Sequence, residues 1–536
     1  MLARKSHQPD GGRTKKSRGL RIGVIDLLAD AAPRSLGERV YAGHFRRQFA
    51  GLMPQAISVW CRQAGHQVFY ATYYGQAEPG SLVPEDIDLV FVSAYTKASA
   101  LAYALARLFK RRGVTTVIGG PHAKSFPDDC LRFYDIVVAD CDRQTVADIV
   151  QGHHAPGSTV SAAQPLRELP TIEERMPELY ASHLSNGDRS LFTLIPLIAS
   201  LGCPYRCNFC VDATNDYVSL SSERLRADLE FVSTRFPGQF IAFHDPNFGV
   251  RFDEVMAVME SFPPGRRSPY AIQASMSILK EPRMARLRDT NCVYIAPGVE
   301  SWNDYSNKAG AGSRTGHDKW QRVVDQFRMM GRYIRGYQAN FVFGTDVDKG
   351  YEPVRLTKAF MRELPGVWPG ISIATPFGGT GLFEELRAAG RLLESMPFAF
   401  YYNPYLTFLP AHYDPVEYYE HLIDLFSTLI DPGLWARRLG SRNPWKVRLM
   451  HGVQAFGARN ELREFRRIRR LLKNDRQFRA FHEGRDRRLP GLYQHRLRNW
   501  LGSYAELLSN EDLVPILTAD SSNQAAAMHV GSVISG

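Results

Sequence analysis

Residues 200–210 read Ser200-Leu201-Gly202-Cys203-Pro204-Tyr205-Arg206-Cys207-Asn208-Phe209-Cys210. Three of the chain's seven cysteines fall within eight residues, spaced Cys-x-x-x-Cys-x-x-Cys. Thiolates are soft ligands, and a group this tight suits zinc or an iron–sulfur cluster. A structural zinc site takes about four ligands, usually as two pairs. Here no second pair follows, and no nearby Cys or His completes a fourth ligand. Three thiolates on a [4Fe–4S] cluster leave one iron open to a substrate or cofactor. The plainer reading is three unrelated buried cysteines. It is weak, because a chain with so few cysteines rarely groups them by chance.

The spacing resembles the signature of radical S-adenosylmethionine (SAM) enzymes, down to the aromatic Phe209 before the last cysteine. The resemblance implies that Cys203, Cys207 and Cys210 hold a [4Fe–4S] cluster and are the catalytic core. It implies that SAM chelates the open iron and is cleaved to a 5′-deoxyadenosyl radical, which abstracts hydrogen from an unreactive C–H bond. An electron donor such as flavodoxin or ferredoxin is then expected.

Outward from that loop, 536 residues predict about two to four domains, and 44% hydrophobic residues suffice for several cores. No run approaches the roughly 18 apolar residues of a membrane span. Residues 1–19 carry Arg4, Lys5, Arg13, Lys15, Lys16 and Arg18 with no apolar segment behind them, which predicts a disordered basic tail and not a secretory signal. Few, clustered cysteines fit a reducing cytoplasm. The net charge of +11 is uneven: residues 431–500 hold 19 Lys and Arg against 6 Asp and Glu, leaving the rest slightly acidic. Nucleic acid is therefore not expected as a partner of the catalytic part.

Residues 20–152 alternate strand-like runs (20–28, 67–74, 88–94, 115–118, 135–139) with helix-like ones, the pattern of a doubly wound, flavodoxin-like parallel sheet. Ligands of such sheets bind beyond the strand C-termini. Those ends carry Ser93-Ala94-Tyr95-Thr96 and Gly119-Gly120-Pro121-His122. Both stretches, with Ala64-Gly65-His66 upstream, resemble the cobalamin-binding domain that precedes many radical SAM domains. The resemblance implies cobalamin contacts from Ser93, Tyr95, Thr96, Gly119, Gly120, Pro121 and His122. Two departures stand out. The Asp-x-His-x-x-Gly cobalt-ligand motif is missing after the first strand, where Asp26-Leu27-Leu28-Ala29 stands, and the usual Gly-Glu-Gly-Glu-like loop is replaced by Ala139-Asp140-Cys141-Asp142. The alternative is a flavodoxin-like domain that binds nothing.

Residues 153–190, broken by Pro156, Gly157, Pro165, Pro170 and Pro177, read as a linker. Residues 191–395 then give six more strand-like runs (193–200, 239–244, 270–275, 293–297, 337–343, 371–375) separated by helices. Six βα units match the partial barrel of radical SAM enzymes, whose chemistry sits on the loops at the strand C-termini. By resemblance, Asp245 stands near the SAM amino group; its other reading is an Asx-turn. Gln273 and Ser275 alternate with apolar neighbours and are expected to face the barrel interior. Glu300-Ser301, with Asn307-Lys308 after it, resembles the family's Gly-x-Glu-Ser…Asn-Lys pattern, in which Glu300 binds SAM. Gly344 lies in Phe343-Gly344-Thr345-Asp346, which resembles the family's adenine-contacting segment. Pro376 belongs to a Thr-Pro-x-Pro-Gly-Thr run in which Gly378 replaces the second proline.

Residues 396–510 are aromatic-rich over 397–413, then basic and helical, with helices expected at 416–430 and 459–482. The aromatics either wall a substrate pocket or pack the barrel's open side. Arg463, Arg466, Arg467 and Arg470 share one helix face, a solvated stripe or a contact for anionic lipid head groups or nucleic acid. A flexible tail is expected over 511–536. The function implied is a cobalamin-dependent C-methyltransferase acting on a small-molecule, lipid or natural-product substrate, cytoplasmic and peripheral to the membrane. Ring formation or rearrangement on the same scaffold is the alternative. A methylthiotransferase would need a convincing triad among Cys61, Cys130 and Cys141, and an inactive scaffold would have no use for an intact cluster loop.

Overall fold

The computed structural model describes residues 19–29, 36–184, 193–306, 310 and 312–517. The basic tail through 18, Asn307-Lys308 and the tail beyond 517 lie outside the described residues.

The apolar runs of the N-terminal part form β1 (Arg21–Leu27), β2 (Gln67–Tyr73), β3 (Leu89–Ala94), β4 (Thr115–Gly119), β5 (Ile136–Val138) and β6 (Ser158–Val160). They pair in parallel in the order β2-β1-β3-β4-β5-β6. Both faces are covered, which is why the strands read as nearly continuous apolar text. Ile22 and Val24 meet Ala56 and Trp60 of helix Leu52–Gln63 on one face. Ile25 and Leu27 belong to the core that takes in Leu101, Leu105 and Phe109 of helix Ser99–Arg111 on the other. The strand order reverses between β1 and β3, so the crevice at their C-terminal ends is the expected ligand site. Strand β6 lies inside the segment read as a linker. Its three residues sit between Pro156-Gly157 and Pro165, too short a run to show a period. Helix Met176–Ala181 follows in the same segment.

The second series gives β7 (Leu194–Leu197), a short antiparallel pair β8 (Ser200–Leu201) and β9 (Val218–Ser219), then β10 (Phe240–Phe243), β11 (Tyr270–Ser275), β12 (Cys292–Glu300), β13 (Gly336–Phe343) and β14 (Trp368–Ile373). Six of these form an all-parallel wall, β14-β13-β12-β11-β10-β7, with β7 and β14 as its free edges. Helices Ser222–Arg235, Phe252–Glu260, Glu281–Asp289, Gly316–Met330 and Glu352–Glu363 alternate with the strands, as six βα units require. The first strand ends at Leu197 and not at 200, because Ser200-Leu201 turns aside to pair with β9.

The C-terminal part is helical. Helix Pro415–Leu429 matches the expectation, but a single helix of 30 residues, Trp445–Asn474, replaces the one expected from 459. Val447, His451, Ala455, Ala458 and Leu462 recur at helical spacing and are buried. A His, two Ala and the exposed Gly452 blur that pattern in the sequence. Asp475 ends the helix and caps the next, accepting from Phe478 N at 3.0 Å. The aromatic segment packs: Phe398 lies 3.8 Å from Phe126 of the first unit, and Phe400 lies 4.7 Å from Tyr493 and 5.1 Å from Trp500, centroid to centroid. No helix among the described residues is long and apolar enough to cross a membrane.

Candidate active site

The cysteine loop is held at both ends. Asp245, just beyond β10, accepts from Ala199 N (3.0 Å) and Ser200 Oγ (2.6 Å), and the β8–β9 pair closes the loop's base. Within it, Cys210 N donates to Cys207 O at 3.1 Å, making a tight turn. Neighbouring barrel loops fasten the rest. Tyr205 and Ser277 hydroxyls are 2.9 Å apart, and Ser277 reaches Ser275 at 3.0 Å. The Phe209 ring stacks on Tyr305 at 5.1 Å. Asn208 O accepts from Leu382 N, just after β14, at 2.8 Å. Cys203 and Cys207 are buried and Cys210 half-buried. Among the described residues no three Cys, His, Asp or Glu side chains converge on a single-ion site. A cluster asks for something else, one thiolate per iron, and three thiolates from one braced loop fit that demand.

The remaining barrel candidates fall into two groups. Glu300 ends β12 buried, with φ +66°, in the left-handed region that costs a side-chain-bearing residue about 1–2 kcal/mol. The β12–β13 register shifts at this point, between Gly298 and Glu300. Such an irregularity re-aims a side chain and concentrates at functional sites. Gln273 is exposed on β11, whereas Ser275 is buried with its N–H on Asn247 Oδ1 at 2.8 Å. The others brace loops. Ser301 Oγ donates to Asp348 Oδ1 (2.7 Å), and Asp348 Oδ2 accepts from Gly344 N (3.0 Å) and from Thr345 N and Oγ1, tying the loop after β12 to the loop after β13. Gly344 lies against Tyr418, whose hydroxyl donates to Phe343 O at 3.0 Å. Pro376 is buried beneath the turn that leads to Gly378. Burial raises the Asp245 carboxyl to about 6, against the pull of its hydrogen bonds. Its visible work is positioning the start of the cysteine loop.

A cavity of about 570 Å³ opens at the C-terminal edge of the first sheet. Its apolar lining includes Val24, Met53, Ile57, Phe91 and Val117. Ser93, Gly119, Gly120 and Pro121 line its rim from the first unit. Leu201, Gly202, Asp212, Thr214 and Asn215, which flank the cysteine loop, line it from the barrel. Gly120 has φ +88°, and a β-carbon there would sit 2.9 Å from Ser93 Oγ and 3.2 Å from Ala94 N. Ala139-Asp140-Cys141, the stretch in place of the glycine-rich loop, forms part of the wall without filling the cavity. Asp142 turns away to cap helix Arg143–Val150, accepting from Thr145 N at 2.8 Å. An apolar lining, a backbone-lined rim and the open crevice between β1 and β3 fit a large ligand laid across the strand ends.

Three of the expected residues do not line this cavity. His122 is fully buried behind the cavity, bonded to the Tyr103 hydroxyl at 2.6 Å and flanked by Phe126 and Phe398; burial lowers its pKa to about 3. Pro121 opens a helical turn that carries the next side chain inward. Tyr95 and Thr96 also lie off the cavity lining. Sequence reading missed Lys124, whose ammonium donates to Asp140 Oδ1 (2.5 Å) and to Asn215, bridging the first unit to the barrel. A partner so distant in sequence leaves no local signal.

No family model matches the chain. Bacteriochlorophyllide d C-8(2)-methyltransferase of Chlorobaculum tepidum is 24% identical over 323 residues, spanning 57% of this chain and 69% of that protein. Among solved structures, the cobalamin-dependent SAM radical enzyme OxsB, with aqua-cobalamin bound, matches at a TM-score of 0.56 and 12% identity over 97% of this chain and 82% of its own. The radical SAM methyltransferase TsrM of Kitasatospora setae, with cobalamin and a [4Fe–4S] cluster bound, matches at 0.51 and 12% identity over 84% of this chain and 100% of its own. A likeness that runs over 97% of the chain takes in both sheets, not the barrel alone, and the chain shares the fold of these cobalamin-dependent radical SAM enzymes.

Proposed function

We propose that the chain is a radical SAM C-methyltransferase that cleaves SAM reductively and methylates an unactivated carbon of a small-molecule or lipid substrate. The observation that carries this reading is the shared cavity. One wall is the switch-point edge of the first sheet, and the other is made by residues that flank the cysteine loop on both sides, Leu201 and Gly202 before it and Val211 and Asp212 after it. When bound, the cluster with SAM supplies a hydrogen-abstracting 5′-deoxyadenosyl radical, and cobalamin supplies the methyl group.

The chain's own residues then have distinct tasks. Cys203, Cys207 and Cys210 hold the cluster on a loop braced from four sides. Asp245 fixes where that loop leaves the sheet. Glu300 binds SAM from a strained backbone position, with Gln273, Ser275, Ser301, Gly344 and Pro376 completing or supporting that pocket. Ser93, Gly119, Gly120 and Pro121 carry cobalamin across the strand ends. Lys124 holds the two walls together. The stacked Phe209 and Tyr305 rings shield the cluster loop from water. The C-methylation itself is supported by the relatives: the similar Chlorobaculum protein is a methyltransferase, and TsrM has also been solved with tryptophan and a SAM analogue. An electron donor such as flavodoxin or ferredoxin completes the set of partners. A methylthiotransferase is disfavoured, because Cys61 and Cys130 lie in cores on opposite faces of the first sheet.

Anaerobically reconstituted protein should contain iron, sulfide and cobalt together. With dithionite and SAM it should release 5′-deoxyadenosine. Iron and sulfide without SAM cleavage would sink the reading. Cleavage with a cyclised or rearranged product, and no methyl group, would replace methylation by the alternative chemistry of this scaffold.

A further inference from the structure

The barrel wall is open between its edge strands β7 and β14, and two elements lie across the gap. On the β7 side, Gln48 of the turn Arg46–Phe49 accepts from Leu194 N at 2.9 Å. On the β14 side, helix Trp445–Asn474 is fastened to the wall twice. Gln454 Nε2 donates to Gln338 Oε1 of β13 at 2.8 Å, and Asn403 joins Glu461 (3.2 Å) to the backbone of β14 through Ile373 N (2.8 Å) and Ile371 O (3.1 Å). Helix Leu36–His44 connects the two sides, since Gly37 lies against the Phe456 ring.

The outer face of this closure is unusual for a protein surface. Leu36 is 78% exposed, Phe49 62%, Trp445 55% and Phe456 46%, with Val40 and Leu449 beside them. Trp445, Leu449 and Phe456 follow one another at i, i+4 and i+11, so they form a single stripe on the long helix. Large apolar side chains grouped on a surface mark a binding face. The charges around them are mostly basic, with Glu38 of helix Leu36–His44 an exception. Between residues 437 and 470 there are eleven Lys and Arg and two acids. Glu461 is turned to Asn403, and Glu464 is paired with Arg496 at 2.7 Å. Arg39, Arg442, Lys446, Arg459 and Arg463 are exposed.

Apolar side chains ringed by cations on the face of a helix complement an anionic bilayer: the chains enter the headgroup boundary while Lys and Arg meet lipid phosphates. An acidic protein would use the cations and leave the tryptophan, leucine and phenylalanine stripe in water. We propose that this face docks on an anionic phospholipid bilayer, an inference that does not depend on the methyltransferase reading above.

Co-sedimentation with phosphatidylcholine vesicles, with and without one third phosphatidylglycerol, tests it. Wild-type protein should bind the anionic vesicles at low salt and release them at high salt. Arg459→Ala with Arg463→Ala should weaken that binding about thirtyfold. Leu36→Ser with Phe456→Ser should weaken it by a similar factor even at low salt. Both variants should form 5′-deoxyadenosine at the wild-type rate, which certifies their fold and separates this test from that of the radical chemistry. Failure of wild-type protein to bind anionic vesicles at low salt would overturn the proposal, as would variants that bind as well as wild type. A solution dimer that Phe456→Ser dissolves would overturn it too, assigning the face to a second copy of the chain.

Discussion

Replacing Gly120 with valine separates the two cofactor walls of the site. Gly120 has φ +88° and ψ −174°, a conformation that side-chain-bearing residues adopt at a cost of about 1–3 kcal/mol. The added β-carbon would also stand 2.9 Å from Ser93 Oγ, 3.2 Å from Ala94 N and 3.3 Å from Ala94 O. The serine can rotate, but Ala94 belongs to β3, an interior strand that cannot yield. In the free protein the loop relieves the strain by shifting a few tenths of an ångström into the rim of the cavity. Cobalamin binding must then restore the original position at that same cost, which raises Kd about 5- to 150-fold. Gly119 supplies the control. Its φ is ordinary, and a β-carbon there meets nothing nearer than Val138 at 3.8 Å, so Gly119→Ala should bind close to wild type. The assay is calorimetric titration of cluster-reconstituted protein with hydroxocobalamin, with 5′-deoxyadenosine measured on the same samples. Gly120→Val should bind cobalamin more weakly by that factor, keep its cluster spectrum, and keep uncoupled SAM cleavage. Unchanged affinity would refute the placement of cobalamin on this rim. Failure of the wild type to bind at micromolar concentrations would rule out methyl transfer from cobalamin altogether.

Cys207→Ala should abolish 5′-deoxyadenosine formation while circular dichroism stays unchanged, because the loop lies at the barrel mouth and not in its core; full activity in this variant would end the radical SAM reading. Glu300→Gln keeps the strained backbone and removes the charge, so it should weaken SAM binding with the cluster absorbance intact; unchanged SAM affinity would leave Glu300 a structural role. Burial raises the Glu461 carboxyl to about 7. A raised acid favours folding at low pH, and that contribution is lost as pH climbs from about 4.5 to about 7, by something on the order of 1–3 kcal/mol. Wild-type protein should therefore lose more thermal stability between pH 5 and pH 8 than Glu461→Gln does, and equal losses in the two proteins would show that the carboxyl is not buried in its charged form.

What the sequence made legible was local. The cysteine spacing, the alternation of βα units and the Glu300-Ser301 pair all lie within a few residues of one another, and the structure keeps them at the mouths of the strands. Side-chain direction was not legible. Pro121-His122 reads as one cavity-facing motif, yet a single helical turn sends Pro121 to the rim and His122 into the aromatic core beneath. Asp245 reads as a carboxylate near the SAM amino group or as an Asx-turn, and nothing in the sequence shows that its oxygens hold Ala199 and Ser200, where the strand that precedes the cysteines leaves the sheet.

Two of the departures from the family pattern, at Gly378 and in the loop of Asp140, share a location. Gly378 stands where a second proline is usual, and a β-carbon there would overlap the Ser125 carbonyl of the first unit. Asp140, in the altered loop after β5, meets Lys124, and Lys124 also reaches Asn215 beside the cysteine loop. Each of these residues sits where the first sheet docks on the barrel. A proline at 378 would push the two units apart and widen the cavity between them; glycine lets Ser125 come close, and Lys124 closes the same seam from the other side. The residues that hold the cluster loop have their partners within the barrel. Those that set the spacing of the two walls have partners in the other unit, so the shape of the shared cavity is written at positions that no motif within a single domain could display.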